Sequence, residues 1–264
     1  MDNSLDVTPT LFSRDSLHRA SEKYEELRLR LPHDALKEIN QVLSHFPIDP
    51  RTAMPDEAWK VIWDKPLYSN TKVQVAKRWI SEIDPFMAKA WTTWGESDQI
   101  FKIAKVKNGR NADAFNKSGS DLEKLCGVSG VALHRLYAIQ NSAAALRSFV
   151  KISETPVAQF WDVQLEIIVP KLVKIFGWGW GATTVFHMLT DFGIASKPDI
   201  HVIRALRHLG VWLGTDDTVS LRAGLEINKV IRALVTQSGE FTPSRLRRFD
   251  IELMSISRFG LTKQ

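Results

Sequence analysis

Apolar residues recur along this chain at spacings of three and four and nowhere alternate convincingly, so the pattern predicts helices from end to end. Helical periodicity or composition covers residues 14 to 30, 33 to 46, 70 to 82, 97 to 107, 130 to 150, 155 to 176, 219 to 237 and 243 to 258. Turn-forming residues interrupt it at Pro47 to Pro55, Asn108 to Asn111 and Ser118 to Ser120, which mark linkers. The expected fold class is all-α.

The most informative stretch is 171 to 210, KLVKIFGWGWGATTVFHMLTDFGIASKPDIHVIRALRHLG. Leu172, Val173, Ile175 and Phe176 form an apolar helical face that Gly177 ends, and Val185, Phe186, Met188, Leu189 and Phe192 form a second that stops at Gly193. Between them Gly177, Gly179 and Gly181 alternate with Trp178 and Trp180. Glycines let the backbone take positive φ and approach a ligand closely, while the first amides of the next helix lack intrahelical partners. Such a turn is either a tight corner with no ligand or an anion site that holds a backbone phosphate without reading bases.

Asp199 precedes Ile200, Val202, Ile203, Leu206 and Leu209, which places it as the cap of a third helix whose first residues include His201 and Arg204. The glycine turn, some eighteen residues, and then Asp-x-His-Val-x-Arg closely resemble the helix-hairpin-helix, Gly/Pro-rich loop, Asp superfamily of DNA base-excision glycosylases, the endonuclease III-like enzymes. The resemblance covers about forty of the 264 residues. It implies a bilobal all-helical fold with a DNA and base cleft between lobes, residues 111 to 264 forming the helix-hairpin-helix core and 1 to 110 an N-terminal extension or lobe. It also implies that Asp199 is catalytic and that Gly177, Gly179 and Gly181 bind phosphate through their own amides.

A carboxylate suits this chemistry. Breaking an N-glycosidic bond develops positive charge on the sugar, which an ionised aspartate stabilises while it orients water. Family members that also cut the strand carry a lysine in or just after the hairpin, whose amine forms a Schiff base. Here those positions hold Gly181, Ala182 and Thr183, and no lysine lies between Lys174 and Lys197. The resemblance therefore implies a monofunctional glycosylase that leaves an abasic site. Two alternatives stand beside it: a non-catalytic DNA-binding protein on the same hairpin, and a glycosylase and lyase with a relocated lysine.

Composition narrows the cofactors. Cys126 is the one cysteine, so the four-thiolate iron-sulfur cluster of several family members cannot form within one chain. Seven scattered histidines without paired cysteines give no zinc pattern. No metal or other cofactor is expected. There is no apolar run of about eighteen residues for a membrane span, and the polar start MDNSLDVTPTLFSRD is unlike a secretory signal. An intracellular, nucleoid-associated monomer acting on double-stranded DNA with a modified or damaged base is expected.

The net charge of +5 permits attraction to DNA. Arg245, Arg247 and Arg248 form a compact basic group that either meets phosphates or is a solvated helix face, and His201 is a further candidate contact. Nine tryptophans are many for this length. Trp178 and Trp180 adjoin the turn and are candidates for contacting DNA or stacking on a flipped base, although at least one is expected to pack inward. Trp91 and Trp94 could line a base pocket or belong to the core.

Overall fold

The computed structural model describes residues 12 to 69, 71 to 88, 90 to 93, 133 to 214 and 220 to 262. Among them the fold is all-α, with no strand. The helices are α1 (Arg14–Leu29), α2 (His33–Leu43), α3 (Pro55–Ile62), α4 (Lys65–Tyr68), α5 (Val73–Ile83) and α6 (Ala90–Thr93), followed by α7 (Leu133–Val150), α8 (Leu165–Phe176), α9 (Ala182–Asp191), α10 (Ile200–His208), α11 (Leu221–Gln237) and α12 (Pro243–Arg258). The expected helix at 97 to 107, Trp94, Cys126, two of the three linkers and the boundary near residue 110 lie outside the described residues.

The chain divides into two compact units, Met1–Ser44 with Pro198–Gln264, and His45–Lys197. In the first, local signals set the helix starts. Ser13 accepts the Ser16 amide, Ser220 the Ala223 amide and Thr242 the Arg245 amide, each satisfying one of the free donors of a first turn. Helix α1 buries Ala20, Tyr24 and Leu27, one face at spacings of four and three. These side chains join Val202, Leu206, Ile231, Leu234, Leu246 and Phe249 in a single apolar cluster, with α10 packed along α12.

In the second unit α7 is the central helix. Leu136, Ala138, Ile139, Ala143 and Leu146 on it are buried, and it packs against α3, α4, α6 and α8. Lys65 of α4 is 3% exposed and sits between two carboxylates, 2.7 Å from Asp64 and 2.8 Å from Asp191 at the end of α9. Burial pushes its ammonium pKa down, but Asp191 and Asp64 outweigh that and raise it above the ordinary lysine value.

Two differences from the sequence pattern are instructive. Helix α8 begins at Leu165 and not near 155, because the chain first turns, with Ser153 Oγ accepting the Thr155 amide, and then makes a short 3-10 turn at Ala158–Phe160. Val157, Phe160 and Leu165 are all buried, so their apolar character mimics a continuous helical face. Conversely, α3 and α4 fall where no helix was expected, since eight and four residues are too short to show a period. Among the described residues no helix is long and apolar enough to cross a membrane.

Candidate functional site

The turn between α8 and α9 occupies residues 177 to 181. Gly177 donates to Val173 O at 3.0 Å and has φ +71° with ψ −145°, a conformation open essentially to glycine alone. Gly179 has φ +90°. Gly181 differs: its φ of −91° and ψ of 172° suit any residue, and a Cβ there meets nothing within 4 Å. Two of the three glycines are thus required by conformation, and the third leaves space.

The amide ledger also departs from the expectation that all three glycines donate to phosphate. The Gly177 amide is spent on α8, and the Trp180 amide donates to Gly177 O at 3.1 Å. The amides of Gly179, Gly181, Ala182 and Thr183 have no partner among the described residues, and they cluster at the positive end of α9. This arrangement can bind an anion.

The two tryptophans of the turn point to different environments. Trp180 is 3% exposed, stacks on Phe176, and donates through Nε1 to Ser142 Oγ at 3.0 Å and Ala138 O at 3.2 Å on α7. Its ring anchors the turn and is sealed from any ligand. Trp178 is 49% exposed, with the Tyr137 ring 5.3 Å away. Of the pair, only Trp178 offers an aromatic face to a partner.

Asp199 caps α10. Its Oδ1 accepts the amides of His201 at 2.9 Å and Val202 at 3.0 Å, and the half-buried side chain keeps Oδ2 outside both bonds. His201, two residues on, has Nδ1 3.3 Å from Ser257 Oγ near the end of α12. The expected arginines lie at the opposite end of that helix, about 15 Å away along its axis at 1.5 Å per residue.

Those three arginines do not act as one patch. Arg247 turns inward, 12% exposed, and pairs with Asp250 at 2.9 Å. Arg245 closes the loop after α11 by donating to Ser238 O, Ser238 Oγ and Glu240 O at 2.6, 2.8 and 3.1 Å. Arg248 is 52% exposed and lies 3.6 Å from the buried Glu252 carboxylate. Trp91 donates to Asp56 Oδ1 at 2.7 Å, an exposed bond that gives it a structural partner.

Next to the turn, within the same unit, α4 and α9 enclose an open cavity of about 410 Å³ that includes Gly181, Thr184 and His187 on one wall and Lys65 and Tyr68 on the other, with Lys197 at the chain's exit. Sequence reasoning missed Lys65, Tyr68, Thr184 and His187. More than a hundred residues separate α4 from α9, and no local pattern announces such a pairing. Among the described residues no cluster of His, Cys, Asp and Glu is arranged to hold a metal ion.

No protein-family model, curated protein or solved structure matches this chain.

Proposed function

We propose that this protein is a monofunctional DNA glycosylase that hydrolyses the N-glycosidic bond of a flipped-out damaged or modified base. The observation that carries the reading is the α8–α9 turn, in which two positive-φ glycines shape the backbone, the Gly179 and Gly181 amides have no partner among the described residues, and Trp178 is exposed at the mouth of a helix. The capping carboxylate Asp199 follows eight residues after that helix ends. The turn is read as a helix-hairpin-helix that grips the sugar-phosphate backbone without regard to sequence, through the Gly179 and Gly181 amides.

In this reading Asp199 Oδ2 faces the anomeric carbon while Oδ1 stays with the α10 amides, which fix the carboxylate in position. As the base departs, the negative charge stabilises the cationic sugar and orients water for attack at C1′. The products are a free base and an abasic site on an uncut strand. Trp178 supplies a stacking surface to unstacked DNA.

The test is incubation of the full-length protein with a panel of duplexes carrying alkylated, oxidised, deaminated or bulky modified bases, with released bases identified by mass spectrometry. Base release that disappears in Asp199→Asn while DNA affinity persists is the expected result. DNA binding without release from any duplex would make the protein a non-catalytic DNA-binding module. A borohydride-trapped adduct that is lost in Lys197→Ala would make it a lyase as well.

A further inference from the structure

Part of the wall of the cavity between α4 and α9 is made of side-chain donors without a hydrogen-bond partner among the described residues. Thr184 is 7% exposed and lines this cavity; its amide donates to Gly181 O at 3.1 Å, while its hydroxyl has no hydrogen bond among the described residues. The hydroxyls of Ser69 and Thr183 and the ammonium of Lys197 line the same space and are equally without partners. Gly181 and Thr183 add two backbone amides from the start of α9, where the helix dipole places partial positive charge.

Buried polar groups are nearly always satisfied. A threonine residue more than nine-tenths buried, whose unpartnered hydroxyl shares one recess with an ammonium, two further hydroxyls and two amides, therefore points to an acceptor-rich ligand. The acidic groups nearby do not oppose an anion at full strength. Asp64 and Asp191 are both paired with Lys65, and no carboxylate is among the residues that form the cavity wall. Tyr68 and His187 meet edge to face, 5.2 Å between centroids, and close the remaining side with ring surface.

We propose that this cavity binds a phosphate group of a nucleic-acid strand, held by Lys197, Thr184, Thr183 and Ser69 together with the Gly181 and Thr183 amides. The site adjoins the glycine turn, shares its Gly181 amide, and extends it with side chains of α4's exit, of the first turn of α9 and of the segment after α9. The proposal rests on the reading of the chain as DNA-binding but not on base release. The phosphate is either a backbone phosphodiester or a terminal phosphomonoester, which present the same acceptor oxygens.

The full-length protein is titrated calorimetrically with inorganic phosphate and with one duplex, with and without a 5′-phosphate. Wild type is compared with Lys197→Ala, Thr184→Val and the exposed control Lys174→Ala, all checked for native circular dichroism. Lys197→Ala and Thr184→Val are expected to weaken phosphate and duplex binding by roughly tenfold each, the loss of one hydrogen bond to a charged group, while Lys174→Ala leaves both nearly unchanged. Equal weakening for both duplexes identifies a backbone phosphodiester, and weakening confined to the 5′-phosphorylated duplex identifies a terminal monoester.

Duplex binding unchanged in both cavity variants overturns the proposal, whether or not free phosphate binds, since phosphate alone would then be an adventitious ion only. Equal losses in Lys197→Ala and Lys174→Ala with none in Thr184→Val also overturn it, because they reflect net charge. Absence of any DNA binding by the wild type would remove the underlying functional reading as well.

Discussion

Trp180 lies nearly flat on Phe176 across the end of α8, with ring centroids 4.2 Å apart and planes 18° from parallel. Its indole N–H is also tied to α7, so this one residue fastens the glycine turn to the central helix of its unit. Trp180→Ala is expected to cost about 3–5 kcal/mol, in the range for truncating a buried aromatic. Trp178→Ala, two positions away on the surface, is expected to change stability by less than about 1 kcal/mol and instead to weaken DNA binding. Urea denaturation and DNA titration of the two variants measure the contrast, and a larger stability loss from Trp178 would reverse the assignment.

The turn's glycines divide in the same manner. Gly177→Ala forces a Cβ into a conformation reserved for glycine and is expected to destabilise by about 1–3 kcal/mol. Gly181→Ala meets open space at an ordinary φ and is expected to shift stability by less than about 1 kcal/mol. Thermal unfolding of both variants is the check.

Asp199 has two separable duties. Asparagine caps a helix about as well as aspartate, so Asp199→Asn is expected to keep near wild-type stability, whereas Asp199→Ala costs about 0.5–2 kcal/mol. Both should abolish base release if the carboxylate is catalytic. Activity retained in Asp199→Asn would reduce the residue to its structural role.

Lys65 holds two carboxylates together, the partly buried Asp64 of its own turn and the buried Asp191 of α9. Lys65→Met leaves both acids without their shared cation and is expected to cost about 3–5 kcal/mol. A change under 1 kcal/mol in equilibrium unfolding would mean that the acids find other compensation.

Glu252 gives a pH-dependent prediction. Its carboxylate is buried, and burial raises its pKa despite the opposing hydrogen bond from Tyr24 OH and the charge of Arg248. A raised folded pKa means that the folded state holds this proton more tightly than the unfolded chain. The contribution is therefore full below the unfolded value of about 4.3 and is lost as pH rises through the folded pKa. The stability of wild type relative to Glu252→Gln should thus fall between acid and neutral pH, as denaturation profiles at several pH values can show. Tyr24→Phe removes a donor from the buried carboxylate and should cost about 1–3 kcal/mol at neutral pH.

Much of the helical content could be read from the chain because long helices leave a period. Helix α12 starts at Pro243 and ends at Arg258, as its pattern predicts, and Asp199 takes the capping position that its place before Ile200 suggests. What the pattern missed is long-range. The inward turn of Arg247 depends on Asp250, and the cavity depends on Lys65 meeting Asp191 from far along the chain. The sealing of Trp180 and exposure of Trp178 depend on where α7 passes, which no local spacing encodes. Short helices such as α3 and α4 were invisible for the simpler reason that one or two turns carry too few apolar positions.

Gly181 carries one more implication. With Ala182 and Thr183 it is one of the positions at which strand-cutting members of the proposed family carry their amine, its backbone accepts any side chain, and a Cβ there meets nothing within 4 Å. On the proposed glycosylase reading, Gly181→Lys would put a primary amine on the hairpin with no backbone strain and an unobstructed Cβ, and a borohydride-trapped DNA adduct unique to this variant would show that strand cleavage can be added at the turn.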